Sequence, residues 1–274
     1  MAENTKEKRR RGRPKSVWAE SHTTIVQALD RGLILLIELA KADKISLTEL
    51  AKKVDLPPST VHRLLNTLQK HEFAEFDKTT QDWMVGVEAF RIGNSFMART
   101  NLIEAARGTM QNLMQDTGET ANLGIASNGN VIFVNQIETN HPIRAFFPPG
   151  TRSHMHSSGI GKALLANYSA DEVKKILTEK GQPSFTAKTL TTPETMFADL
   201  NTIRQRGWSL DDEERYSGMR CVAATIYNSL SEPIAGISVS GPSIRFSDTR
   251  IGELGPKVQH AANEVTRLIG GIKP

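Results

Sequence analysis

The chain has 274 residues, 38% hydrophobic and 23% charged, which is enough for two domains and a sizeable core. No window approaches ~18 uninterrupted apolar residues, and the polar, basic N-terminus lacks the apolar stretch of a signal peptide, so the expectation is a cytoplasmic protein with no membrane partner. A lone cysteine, Cys221, rules out an intrachain disulfide framework. The net charge of +4 is uneven: residues 1–15 hold seven Lys/Arg against Glu3 and Glu7, which leaves the remainder at −1.

Such a basic block cannot bury itself and invites a polyanion, with a solvated tail as the plain alternative. Within it, Arg11-Gly12-Arg13-Pro14 resembles the AT-hook core, in which a Gly/Pro backbone follows a narrow minor groove and the arginines point into its negative potential. Residues 1–22 are therefore predicted to be a disordered, DNA-contacting arm, with Arg11 and Arg13 as its contacts.

Residues 23–86 read as a winged helix-turn-helix. Ile25, Leu29, Leu33, Leu36 and Leu39, three or four apart, predict a helix with one buried stripe. A second helix starts at Ser46, where Ser46 and Glu49 form a capping box, with Leu47, Leu50, Ala51 and Val54 facing inward. Pro57 and Pro58 close that helix and open the next, since proline is tolerated only in a first turn. In "STVHRLLNTLQKH" one face carries Val61, Leu64, Leu65 and Leu68, leaving polar residues for the major groove. The candidate DNA contacts are Thr48, Pro58, Ser59, Thr60, His62, Arg63 and Asn66, with Arg63 suited to a bidentate contact with guanine. For His62 and Asn66 an ordinary solvated face stays open. "FAEFDKTTQDWMVG" predicts two short strands, a wing.

Residues 87–100 predict a linker helix whose Val87, Phe90, Phe96 and Met97 suit a dimer surface. Residues 101–274 form the second domain. Its first helix carries Leu102, Ala106, Met110, Leu113 and Met114, a core stripe rather than a cofactor box. Strands flank the turn Asn128-Gly129-Asn130, and "IRAFF" reads as another. Three helices follow, then strands in "WSLDDEE", "CVAATIYN" and "PIAGISVSG", then a final helix over about 248–269. The fold class is α+β with an antiparallel sheet.

"SSGIGKALL", residues 157–165, looks at first like a phosphate loop. A P-loop needs a glycine where His156 stands and a hydroxyl where Ala163 stands, so the nucleotide reading falls. What remains is a helix start whose unpaired amides favour a small anion. Ser238 and Ser240, two apart on a strand, face one side while Ile237 and Val239 face the other. An ionised Asp211 can only accept hydrogen bonds, although the run Asp211-Asp212-Glu213-Glu214 could equally be a solvated acidic turn. Cys221 is either a small buried hydrophobe or a ligand contact. Lys162 is expected to lie across the surface. His154 and His156 share a face but lack the third ligand a metal site needs, and no catalytic constellation is evident.

In their order and spacing, "LPPSTVHRLLNTL", "TGETANLG", "HSSGIGKALL", "RGWSLDDEERYSGMRCVAA" and "ISVSGP" resemble the IclR family of bacterial transcriptional regulators, over about 24–271. Within it the likeness is greatest to the glyoxylate-responsive regulators of isocitrate lyase, allantoin and β-hydroxyaspartate metabolism. The resemblance implies a GAF-like effector domain and no cofactor. It implies as partners double-stranded DNA at a palindromic promoter site, a small 2-oxo acid such as glyoxylate, further copies of the chain as dimer or tetramer, and RNA polymerase. It also implies that the effector's carboxylate meets amides at Gly159 and Ile160 while its other groups meet Asp211, Cys221, Ser238 and Ser240. Ile160 stands where relatives usually carry alanine and is expected to narrow the pocket, with Met219 and Ala145 as apolar wall. The alternative is a GAF-like enzyme acting on a small metabolite, for which a lone Cys221 lacks a resolving partner.

Overall fold

The computed structural model describes residues 25–99 and 102–274. The chain forms two compact units that part between Ser95 and Phe96. Arg11 and Arg13 lie outside the described residues.

The first unit contains α1 (Gln27–Leu39), β1 (Ile45–Ser46), α2 (Leu47–Lys53), α3 (Pro58–Lys70), β2 (Ala74–Asp77) and β3 (Asp82–Val85). Its core gathers Leu35, Leu39, Leu50, Val61, Leu65 and Trp83. The stripe expected on α1 holds at its C-terminal end, where Leu39 is buried and Leu36 half-buried, but Ile25, Leu29 and Leu33 are exposed and Leu35, outside the stripe, is buried instead. The run "LILLIEL" is apolar on more than one face, so periodicity cannot choose the face and packing against the rest of the unit does.

Ser46 caps α2 by accepting from the Glu49 amide at 3.3 Å, and Pro58 sits in the first turn of α3. The wing is the β2–β3 hairpin, its turn held by Asp77, whose Oδ1 accepts from the Thr79 and Thr80 amides at 2.9 and 3.3 Å. Two-residue β1 has too little pattern to be read from sequence, and it pairs Ile45 with Trp83. After the wing, a Cβ at Gly86 would lie 2.2 Å from the Glu72 carbonyl oxygen, so only glycine fits that approach. Helix α4 (Val87–Arg99) spans the point where the units part.

The second unit begins with α5 (Leu102–Thr117), β4 (Thr120–Ser127), β5 (Asn130–Ile137) and β6 (Arg152–His154). It continues with α6 (Gly159–Leu165), α7 (Ala170–Lys180), α8 (Pro193–Arg206), β7 (Ser209–Asp212), β8 (Met219–Tyr227), β9 (Pro233–Pro242) and α9 (Asp248–Leu268). The strands form one antiparallel sheet in the order β6-β5-β4-β9-β8-β7. Asn128 and Gly129, at φ 47° and 68°, make the hairpin turn with both central residues left-handed, which favours these residue types.

Helices α5 and α9 bury one face of the sheet against Leu123, Val222, Ala224, Ile237 and Val239. Helices α6, α7 and α8 cover the other around Ile160, Leu164, Val173 and Leu200. The strand expected at Ile143–Phe147 does not form, and the edge strand is β6. Pro142, Pro148 and Pro149 bracket that segment without amide donors for a ladder. Among the described residues no helix is long and apolar enough to cross a membrane.

Candidate functional site

On the first unit, Thr48, Pro58, Ser59, His62, Arg63 and Asn66 are exposed and Thr60 is half-buried. All but Thr48 project from α3, and Thr48 lies in the first turn of α2. Val61 and Leu65 turn inward, which fixes this polar face outward. Asn66 Nδ2 and His62 Nδ1 lie 3.4 Å apart one helical turn away from each other. Thr60 and Arg63 border a groove that Leu29 and Leu33 of α1 form with Leu64 and Leu68 of α3. The wing is braced by Lys44, whose Nζ lies 2.6 Å from Asp77, and this hydrogen bond holds the Asp77 carboxyl well below its ordinary pKa.

On the second unit the sheet register assembles the other candidates. Asp211 pairs with Cys221 across β7 and β8, and Cys221 pairs with Ser240 across β8 and β9, so three distant residues form one row. The start of α6 descends onto that row: a Cβ at Gly159 would meet Cys221 Sγ at 2.8 Å. A small cavity of about 20 Å³ opens here, lined by Gly159, Asp211, Cys221 and Ser240, with Met219 in its wall. Phe133 and Phe147, stacked with centroids 4.9 Å apart, and half-exposed Tyr216 close its rim.

Two of the sequence candidates sit behind this cavity. The Ile160 side chain packs on the sheet where Gly236 and Gly124 leave room, Cγ2 falling 2.7 Å from a Cβ built at Gly236. It is fully buried there and does not line the cavity, so the expected narrowing does not follow from its bulk. Ser238 lies one register step deeper, where Asn122 Nδ2 donates to it at 3.4 Å and to Ser240 at 3.1 Å. Gln136 Nε2 in turn donates to Asn122 Oδ1 at 2.7 Å. Ala145 is buried but outside the lining.

Lys162 does not lie across the surface. It is 1% exposed, with Nζ 2.5 Å from Glu214 Oε1 and 2.8 Å from Asp199 Oδ2. Burial opposes its charge, but the two carboxylates outweigh burial and hold its pKa above the ordinary value. The acidic turn divides in the same way. Asp212 and Glu213 face Lys188 at the surface, whereas Asp211 and Glu214 are buried. Burial pushes the Asp211 carboxyl up to about 6 and that of Glu214 up to about 7, and it pushes the Cys221 thiol up to about 12. Asp211 Oδ1 accepts the Glu214 amide at 2.8 Å, so it also pins the turn beside the cavity.

The residues that sequence reasoning missed are Asn122, Asp199, Glu214, Ser157 and Arg215. Thr120 and Asn122 alternate with Ala121 and Leu123, a polar period of two that marks a strand's second face. The Lys162–Asp199–Glu214 cluster joins three separate elements and leaves no local signal. His154 and His156 have rings 5.6 Å apart, both with pKa lowered by burial, and no metal-sized group of three ligands occurs among the described residues.

A winged helix-turn-helix, with a second unit that holds on its sheet a small cavity of mixed lining, defines the class: a DNA-binding transcriptional regulator with an effector domain. Residues 28–78 match the IclR helix-turn-helix domain, and residues 94–267 match the family described as bacterial transcriptional regulator IclR C-terminal. The chain belongs to the IclR family, a family of regulators rather than enzymes. It is 49% identical over 262 residues to the HTH-type transcriptional regulator BhcR of Paracoccus denitrificans, covering 94% of each chain. It is 41% identical over 267 residues to the transcriptional repressor IclR of Escherichia coli, covering 96% of this chain and 97% of that one. The crystal structure of the Thermotoga maritima IclR superposes with a TM-score of 0.74 at 25% identity, over 90% of this chain and 100% of that one.

Proposed function

We propose that this regulator senses a small 2-oxo acid, glyoxylate foremost, and so controls genes of glyoxylate metabolism. The observation that carries the reading is the row Asp211–Cys221–Ser240 facing Gly159 across a small cavity. First-turn amides of a helix have no intrahelical acceptor, so those of Gly159 and Ile160 suit one edge of a carboxylate. Glyoxylate is largely hydrated in water, and its geminal hydroxyls suit the acceptor Asp211 and the hydroxyl of Ser240. Ser238 acts from behind, through Asn122. A cavity of about 20 Å³ is near the lower limit for a single water, so the ligand is small and enters with a modest outward movement at Tyr216.

For DNA, the outward face of α3 reads the major groove, with Arg63 at a base edge and Arg11 and Arg13 in the neighbouring minor groove. The exposed apolar residues Ile25, Leu29, Leu33 and Ile37 of the first unit, with Val87 and Phe90 of α4, support a homo-oligomer on a palindromic site. Glyoxylate then acts by its differential affinity for the DNA-competent and other arrangements. Retardation of promoter DNA by the full chain, titrated with glyoxylate, tests this. A dose-dependent change in retained DNA is expected. No change with glyoxylate or pyruvate, alongside intact DNA binding, removes the small 2-oxo acid from the reading.

A further inference from the structure

The cavity holds two buried donors to which neither the fold nor the row of Asp211, Cys221 and Ser240 gives a role. Ser157 closes a short 3-10 turn ahead of α6 and is 0% exposed, yet its Oγ has no hydrogen-bond partner. Arg215 follows the turn that Asp211 pins, and its Nη1 is buried without a hydrogen-bond partner. Both residues line the cavity. The guanidinium is held over the Phe185 ring, its Cζ 3.7 Å from the centroid, so its direction is fixed by packing.

Charge balance points the same way. An acid entering beside Asp211 brings a second negative charge into a buried site, which is unfavourable without a counter-charge. Lys162 is engaged by Glu214 and Asp199, and Arg220 by Asp212 and the Phe246 carbonyl. Arg152 also borders the cavity but is exposed, where solvent screens it. Of the described cations around the cavity, Arg215 is the one with a buried, unpaired donor. Orphaned buried donors are rare and costly, and a ligand acceptor satisfies them.

We propose that Arg215 and Ser157 form a clamp for the effector's carboxylate, opposite the Gly159–Ile160 amides, and that this clamp makes the site selective for small acids over uncharged aldehydes. The inference rests on the reading of the cavity as a small 2-oxo acid site. A carboxylate offers about four lone-pair positions, so two amides on one edge leave two for the guanidinium and the serine hydroxyl.

The test uses the full chain and its R215Q, R215K and S157A variants, with calorimetry against glyoxylate and against glycolaldehyde, which has the same two carbons but no carboxylate. Glyoxylate affinity is expected to fall at least about tenfold in R215Q, less in R215K, and about threefold or more in S157A. Glycolaldehyde binding, weaker from the start, is expected to be the same in wild type and R215Q. Effector-free DNA affinity and melting temperature, which a misplaced loop would move, are expected to hold. Wild-type glyoxylate affinity in R215Q overturns the clamp alone, as does a loss that comes with altered effector-free DNA binding. A wild-type chain that binds neither glyoxylate nor pyruvate overturns both the clamp and the reading it rests on.

Discussion

Asp211 shows how burial turns an acidic run into a pH-dependent element. Its carboxyl is raised from 3.8 to about 6, chiefly by desolvation, so the folded state holds its proton over a range where the unfolded state has released it. Stability therefore falls as pH rises from about 4 to about 6 and levels above that. Glu214, raised to about 7, extends the same fall upward. Asp211→Asn keeps an acceptor for the Glu214 amide and removes the buried charge. The variant should match wild type near pH 4 and be more stable near pH 8, by on the order of 2–3 kcal/mol at most. Urea unfolding across that range decides, and parallel curves for the two proteins would refute the assignment. Arg63 is tested by comparing DNAs. Arg63→Ala should weaken binding to the specific site by ~1–3 kcal/mol more than binding to random DNA, because base-edge contacts discriminate and phosphate contacts do not. Equal weakening on both would make it a phosphate contact. Of the row, Ser240 was legible from the period of two it shares with Ser238, whereas Asp211 and Cys221 were marked only by the family resemblance, because cross-strand register is what joins them. Ser157 and Arg215 were not legible, because what marks them is a missing partner, and partners are set by tertiary packing.

Among elements, α6 and α1 show two different limits of sequence reading. The "GIGKALL" helix was recognisable, but its height above the sheet was not, because that depends on residues about sixty positions away. A Cβ at Gly159 would lie 2.8 Å from Cys221 Sγ and 3.3 Å from Ala223 Cβ, so Gly159→Ala must lift the start of α6. We expect a destabilisation of ~1–3 kcal/mol, typical of overpacking, and weaker glyoxylate binding as the first-turn amides move. Adding Cys221→Ala removes the sulfur that the new methyl meets, so stability in the double variant should recover in part. Thermal unfolding of the four proteins of that cycle gives the coupling, and strict additivity would mean that the clash is relieved elsewhere. On α1 the element was legible, but its phase was so only at the C-terminal end, where Leu36 and Leu39 turn inward. With six apolar residues among the seven of "LILLIEL", more than one face satisfies the pattern, and Leu35 and Leu39 are chosen by the core they join.

At the scale of the whole molecule the charge is concentrated at one end, with +5 in residues 1–15 and −1 in the rest. A protein whose remaining chain is near neutral gains little long-range attraction to DNA from its folded units, so the arm should carry much of the salt-dependent part of binding. Base reading is assigned to α3, whose exposed face has few cations. The two contributions can then be separated by salt. Removing one phosphate contact lowers the slope of log affinity against log salt by about 0.9. Deleting residues 1–15 should lower that slope by about 1.8 if Arg11 and Arg13, in the minor groove, each neutralise the equivalent of one phosphate, and should weaken specific and random DNA binding alike at low salt. As salt rises the deletion variant and the full chain should converge, because the arm's electrostatic attraction vanishes while the base-edge hydrogen bonds of α3 persist. Fluorescence anisotropy on both DNAs over a salt series measures slope and convergence together. An unchanged slope would mean that the arm stays idle on DNA. Weakening confined to the specific site would instead make Arg11 and Arg13 readers of sequence or groove width rather than a general anchor.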